Sequence, residues 1–383
     1  MKITQDVRYI GVSDHDLDLF EGQYEVPDGM AYNSYVILDE KIAVFDTVDK
    51  KFGDEWLENL KNELNGRTPD YLVVLHMEPD HSANIAFFAE VYKNAKIVSS
   101  AAAFRMMKAY FGDEFTDRRI VVKEGDKLNL GKHELTFVGA PMVHWPEVIV
   151  AYESSEKLLF SADAFGKFGA FDVKADWACE ARRYYFGIVG KYGVQAQNLL
   201  KKAAALDIEK ILPLHGPLLT ENLGYYLGLY NTWSSYGIES EGVTIAYTSV
   251  YGHTERAVRM LKEEIEKAGV KVAVHDLARC DESEAVEDAF RCGKLVLATT
   301  TYNASIFPFM QNFINALTER NYKNRKIGLI ENGSWAPTAA KIMRAAFENS
   351  ENIEFCPTTV KIVGAVSEEN EEQIRSLAKE IIG

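Results

Sequence analysis

The apolar positions follow one rhythm in the first part of the chain and another in the second. Up to residue 240 they come in short clusters divided by Gly, Asp and Ser. NSYVILDEKIAVFDTV (33–48) reads as a hairpin, two β-branched runs joined at Asp39-Glu40. DYLVVLH (70–76) and AKIVSS (95–100) are further strands, and residues 118–163 read as a succession of strands separated by turns. Helical patterns lie at 101–111 and in a long run over 180–206. A mixed sheet with helices outside is expected here. From residue 241 strand and helix alternate instead: VTIAYTS, then TERAVRMLKEEIEKAG, KVAVHDL, ESEAVEDAFR, KLVLATT, RKIGLIEN and a weaker strand at 359–364. Such alternation implies a parallel, doubly wound sheet. The polar, Gly-bearing YGIESEG (236–242) marks the boundary between domains at 1–240 and 241–383, and 383 residues are too many for one ordinary core.

Charge and cysteine usage narrow the class of function. The net charge of −15 argues against nucleic acid and against an anionic membrane surface as partners. No apolar run approaches the length that spans a bilayer, and MKITQDVRYI lacks the apolar core of a signal peptide, so a cytoplasmic protein is expected. The four cysteines stand singly, with no C-x-x-C pair, which excludes a zinc ribbon, a rubredoxin-type iron site and a disulfide framework.

The strand at 70–76 runs into LHMEPDHSAN, where His76, Glu78, Asp80 and His81 crowd one turn. Alternate residues of an extended segment share a side, so His76 and Glu78 can serve one ion, and Asp80 and His81 a second as the chain turns into a helix. Two buried carboxylates beside two histidines are costly without a cation. Three later segments repeat the order of apolar strand, ligand, turn: PMVHWPE with His144, LFSADAFG with Asp163, and ILPLHGP with His215. Taken singly, a histidine or aspartate at a strand end is more often structural than ligating. Imidazole-rich sites suit zinc, whereas an added carboxylate shifts preference toward harder, redox-active ions such as iron, so Glu78 points toward redox chemistry.

A second constellation opens the other domain. TSVYGHTE (248–255) joins its first strand to its first helix without a Lys or Arg. Backbone N–H groups and the helix terminus can hold a phosphate there, with Thr248, Ser249 and Thr254 assisting and Val250, Tyr251, Gly252 and His253 completing the loop. It matches neither a Walker loop nor G-x-G-x-x-G, and alone it reads equally well as a helix cap. Two further strand-end loops carry Thr301, Tyr302, Asn303 and Ala304, and Gly333, Ser334 and Trp335. Both lie where open α/β sheets bind ligands, and Tyr302 or Trp335 could stack on a flat ring. The arrangement resembles flavodoxin, which implies FMN.

H-x-[HE]-x-D-H followed by distant His, Asp and His resembles the metallo-β-lactamase fold, a four-layered αββα sandwich. With the flavodoxin-like half behind it, the chain resembles the flavodiiron proteins. HMEPDHS, HWPE, LFSADAFGKFGAF, EARRYYFGIVG and HGP follow the family's segments in order over nearly the whole length. The resemblance implies two irons, one held by His76, Glu78 and His144, the other by Asp80, His81 and His215, with Asp163 as bridge. It implies reduction of dioxygen to water or of nitric oxide to nitrous oxide, with FMN relaying electrons. It also implies a head-to-tail homodimer, or a tetramer, in which the FMN of one chain meets the irons of another. With no cysteine motif here, an external donor such as rubredoxin is expected, a deazaflavin-dependent route being the alternative. Two positions depart from the pattern: Met77 replaces a small polar residue, and the stretch from Asp163 to His215 is short.

A zinc-dependent hydrolase with an appended flavodoxin domain, and a non-catalytic electron carrier, are the rival readings. Trp145 is expected to pack over the metal site. Of the remaining histidines, His133 beside the turn Gly131-Lys132 is expected to be exposed, as is His253, while His15 and His275 lack ligand neighbours.

Overall fold

A computed structural model describes residues 1–113 and 115–383. The chain packs as two compact units, Met1–Tyr185 with Val194–Asn231, and Phe186–Gly193 with Thr232–Gly383. Among the described residues, no helix is long and apolar enough to cross a membrane.

Among its described residues the first unit holds two small two-stranded sheets and two large ones. One is ordered Val7–Tyr9, Tyr35–Leu38, Ile42–Phe45, Tyr71–Val73, Lys96–Ser99, Arg119–Val121. Its last four strands are parallel, and the expected hairpin supplies Tyr35–Leu38 and Ile42–Phe45. The other is ordered Lys127–Asn129, Glu134–Gly139, Ile149–Glu153, Leu158–Phe160, Lys210–Leu212. The rings of Phe45 and Phe160, one from each sheet, stack 3.8 Å apart, so the core lies between the sheets. Helix Gly53–Leu64 buries Trp56, Leu57, Leu60 and Leu64 along one stripe and ends on Asn65 in the left-handed region. This is an α/β sandwich in which the parallel strands deliver their C-terminal ends to one edge.

The 180–206 run is not one helix. An α-helix spans Trp177–Tyr184, a π turn Tyr185–Val189, a 3-10 turn Gly190–Tyr192, and a second α-helix Gly193–Ala203. Tertiary partners override the helical pattern at the break. Arg320 Nε donates to the carbonyl of Phe186 at 2.7 Å, the Phe186 ring stacks on Phe290 at 4.1 Å, and the Tyr236 hydroxyl donates to Gly190 O at 2.8 Å.

His133 is a correction. It is buried, not exposed. Its N–H donates to Asp39 Oδ2 at 2.7 Å, Nε2 lies 3.3 Å from Asp6, and Nδ1 lies 3.1 Å from Glu153. The turn at Gly131 suggested exposure, but a segment before the first strand folds over it. Burial opposes protonation of the ring, and Glu153 and Asp6 outweigh burial, so its pKa is raised. Burial likewise works against ionisation of Glu153, whose carboxyl His133 nonetheless brings down to about 2. A histidine with a raised folded pKa stabilises fully below its unfolded value, about 6.5, and that contribution disappears as pH climbs through the folded pKa. We therefore expect His133→Gln to cost about 1–3 kcal/mol near pH 6, in keeping with charge-assisted hydrogen bonds. The gap from the parent in urea midpoint should narrow as pH rises; a gap that stays constant or widens rejects the assignment.

The second unit is a parallel sheet ordered Val272–Asp276, Ser240–Tyr247, Cys292–Tyr302, Arg325–Asn332, Ile353–Ile362, with the short strand Ser305–Ile306 paired to the third. Helices His253–Lys267 and Glu368–Ile382 share a core in which Val258, Leu261 and Ile265 meet Ile374, Leu377 and Ile381. The strand order reverses direction at Ser240–Tyr247, and such a switch point opens a crevice at the carboxyl ends of the strands.

Candidate functional site

Strand Tyr71–Val73 is paired on both sides, and the chain beyond it needs other acceptors for its N–H groups. Asp46, just past the neighbouring strand, provides one. Its Oδ1 accepts from Leu75 N–H at 2.8 Å and His76 N–H at 3.2 Å. The ligand turn then enters the short helix Pro79–Ser82, with Pro79 at its first position. Met77 is fully buried, so an apolar side chain suits a place where the resemblance had led us to expect a small polar one.

All seven predicted ligands converge, and all are buried. His76, Glu78, His144 and Asp163 offer ligand atoms within 4.8 Å of one another, and so do Asp80, His81 and His215. Asp163 faces both groups. Its Oδ2 lies 3.3 Å from His76 Nε2 and 3.0 Å from His144 Nε2, and its Oδ1 lies 3.4 Å from His81 Nε2 and 3.9 Å from His215 Nε2. Both oxygens of Asp80 and of Asp163 are buried without a hydrogen-bond donor among the described residues. Orphaned carboxylate oxygens facing imidazole nitrogens fit a pair of cations.

Burial and the mutual fields of these clustered groups shift their proton affinities. Burial disfavours a charged His76, yet Asp163, Glu147 and Glu78 raise its pKa well above the ordinary value. His144 rises to about 9 against burial through Asp163 and Glu78. Burial, Glu78 and Asp163 push Asp80 well up, whereas Asp163, despite burial, is held well below the usual carboxylate range by His76, His144 and His81. Burial and the adjacent His81 depress His215 to about 3.

Three further side chains, Glu147, Asp46 and Tyr184, stand beside the ligands. Glu147 accepts from His76 Nδ1 at 2.8 Å and from Met77 N–H at 2.9 Å. Asp46 follows the same order of apolar strand, acid, turn as the ligands, and that order was the available signal. Tyr184, inside the family-like segment EARRYYFGIVG, is buried with its ring centroid 5.5 Å from His215. Its hydroxyl has no hydrogen-bond partner among the described residues. Burial, then Asp163, Glu78 and Asp80, push its pKa well up, so it remains a neutral O–H donor. Phe20 and Tyr32 complete an aromatic wall around His215, at 5.5 and 6.1 Å. Trp145 packs edge-on against His76 at 5.3 Å, as expected.

The second unit carries a cavity of about 520 Å³ at its switch point. Of the predicted contacts, Ser249, Val250, Tyr251, His253, Thr254, Thr301, Tyr302, Gly333, Ser334 and Trp335 line it. Asn303 and Ala304 line an adjoining hollow of about 270 Å³ on the Trp335 loop. Thr248 lies beneath, its hydroxyl 2.6 Å from that of Thr299. Gly252, with φ of 85°, sits at the N-cap of helix His253–Lys267, a backbone shape that favours glycine. Among the described residues no Lys or Arg lines the cavity, so a phosphate there would be held by N–H groups, hydroxyls and the helix terminus. Tyr251 and Trp335 are 90% and 83% exposed, which leaves their faces open to a planar ring. Thr300, Asn332, Gly364 and Ala365 also line the cavity and were not foreseen. Asn332 exchanges hydrogen bonds with the backbone of Gly364, at 3.1 and 3.2 Å, across a gap the sequence does not reveal.

A family model described as ODP family beta lactamase matches residues 30–216. The chain is 31% identical over 327 residues to a putative diflavin flavoprotein of Synechocystis, covering 84% of this chain and 56% of that one. It is 29% identical over 352 residues to a protein named nitric oxide reductase from Moorella thermoacetica, covering 89% and 88%. The structure of rubredoxin oxygen:oxidoreductase from Desulfovibrio gigas superposes with a TM-score of 0.92 at 26% identity, covering 100% of this chain and 97% of that one. The chain spans 52–63% of the length of the first three diflavin flavoproteins it matches.

Proposed function

Because the chain belongs to the flavodiiron proteins, we propose that it reduces dioxygen to water, nitric oxide to nitrous oxide, or both, at a buried iron pair supplied with electrons through FMN. The observation that carries this reading is Asp163, whose two oxygens face two separate ligand groups. His76, Glu78 and His144 would hold one iron, Asp80, His81 and His215 the other, and Asp163 would bridge them. When bound there, iron and flavin would supply the electrons and the adjacent binding positions for the gas.

The chain's own residues do the rest. Imidazoles and carboxylates in the stated geometry set the separation of the two positions. The aromatic wall of Phe20, Tyr32 and Tyr184 keeps bulk water from the His215 side and suits a small, weakly polar molecule. The free hydroxyl of Tyr184 can donate a hydrogen bond to an oxygen or nitrogen atom held there. In the second unit, the lysine-free loop 248–254 would take the FMN phosphate, and Tyr302 or Trp335 the ring. Electrons would enter from an external carrier of the rubredoxin class, and by family analogy a head-to-tail homodimer would bring FMN and irons together.

Metal and flavin analysis of the purified chain tests the proposal, with about two irons and one FMN per chain expected. Anaerobically reduced protein should consume dioxygen or nitric oxide over many turnovers with added reduced rubredoxin. Zinc in place of iron would favour a hydrolase, and flavin oxidation without turnover a mere electron carrier; either result overturns the reading.

A further inference from the structure

The two ligand groups are backed differently. Behind His76 stands a full carboxylate: Glu147 Oε1 lies 2.8 Å from Nδ1, and the Glu147 side chain is wholly buried. That acid is held in place by the Met77 N–H at 2.9 Å and by the Ser100 hydroxyl, which donates to the Glu147 carbonyl at 2.9 Å. Its second oxygen has no hydrogen-bond partner among the described residues, so its charge is little diluted. In the other group, His215 Nδ1 meets only the neutral carbonyl of Ala31 at 2.7 Å, and His81 Nδ1 has no partner among the described residues.

An imidazole whose far nitrogen donates to a carboxylate is a stronger ligand than one backed by a neutral carbonyl. A buried negative charge in a poorly screened pocket also favours the more highly charged state of a nearby cation. We propose that Glu147 is a positioning residue that makes the two metal positions unequal, so that the iron held by His76 favours the ferric state over the iron held by His81 and His215. This rests on the diiron reading. The carboxylate acts through the imidazole and touches neither metal nor gas. Its effect is to set the order in which the two positions gain and lose an electron.

Glu147→Gln separates charge from shape. The amide oxygen can still accept from His76 Nδ1–H and from Met77 N–H, and only the charge is removed. The readout is a redox titration of the diiron centre followed by electron paramagnetic resonance of the half-reduced state. In Glu147→Gln the second electron, the one that enters the iron held by His76, should be taken up at a potential higher by at least about 59 mV, a tenfold shift toward ferrous for a one-electron couple, so the half-reduced signal persists over a narrower range of potential. Unchanged potentials with both irons retained overturn the proposal. If the variant holds less iron, Co(II) titration of the metal-free protein decides. One equivalent weakened by about 10–100-fold with the other unaltered supports the inference, and equal weakening of both rejects it. Failure of the diiron reading would show earlier and separately, as parent protein that lacks iron and gives no half-reduced signal.

Discussion

Asp163→Ala is expected to remove or uncouple the metal pair while leaving flavin binding intact. The side chain is fully buried, and each of its oxygens faces a different pair of imidazoles at 3.0–3.9 Å. Alanine takes away the anion shared by both positions, so four imidazoles with Glu78 and Asp80, one carboxylate to each position, are left around two closely spaced cations. Losing a mere supporting partner of a ligand costs about 10–100-fold in metal affinity or activity, and losing a shared ligand should cost at least the upper end of that range. Asp163→Asn keeps the volume and separates charge from packing. Iron content, the half-reduced resonance signal and turnover with each gas are the measurements, with flavin absorbance as the control for folding. Full iron occupancy and near-parental turnover in Asp163→Ala would remove the bridging role.

The second large effect is expected at the phosphate loop. Ser249 Oγ accepts from the N–H groups of Gly252 at 3.1 Å and Glu255 at 3.3 Å. An aspartate carboxylate can accept from the same two N–H groups, so Ser249→Asp should preserve the loop. It would also set a negative charge where the FMN phosphate is expected. Like charges about 4 Å apart repel by about 4 kcal/mol at an effective dielectric constant near 20, roughly a thousandfold in affinity. The variant should emerge colourless, bind added FMN weakly, and keep its iron. Yellow protein with parental affinity would show that the phosphate lies elsewhere. The opposite outcomes of Asp163→Ala and Ser249→Asp, iron lost with flavin kept and flavin lost with iron kept, test the two cofactor assignments independently.

Much of this molecule is legible before folding because its chemistry sits at strand ends. An apolar run such as DYLVVL must be buried, and the polar residues that follow it must then lie at the edge of a sheet. Parallel strands deliver their ends to one edge, which is why His76, Glu78, Asp80 and His81 announce themselves as a cluster. The same local logic exposes the loop at 248–254, where a strand meets a helix with no basic residue between them.

Residues that act by contact across long separations are not legible in this way. Glu147 reaches His76 over 71 positions, Asp39 and Asp6 reach His133 over 94 and 127, and Gly364 reaches Asn332 over 32. A carboxylate in HWPE or a histidine beside a glycine turn has the same local appearance whether it faces water or a partner. The break within 180–206 is of the same kind, since Arg320 and Phe290 decide it from more than a hundred residues away. Local periodicity reports which face of a segment is buried. Only the packed chain decides what lies against that face, because burial leaves each polar group in need of a partner and distance along the chain says nothing about which one arrives.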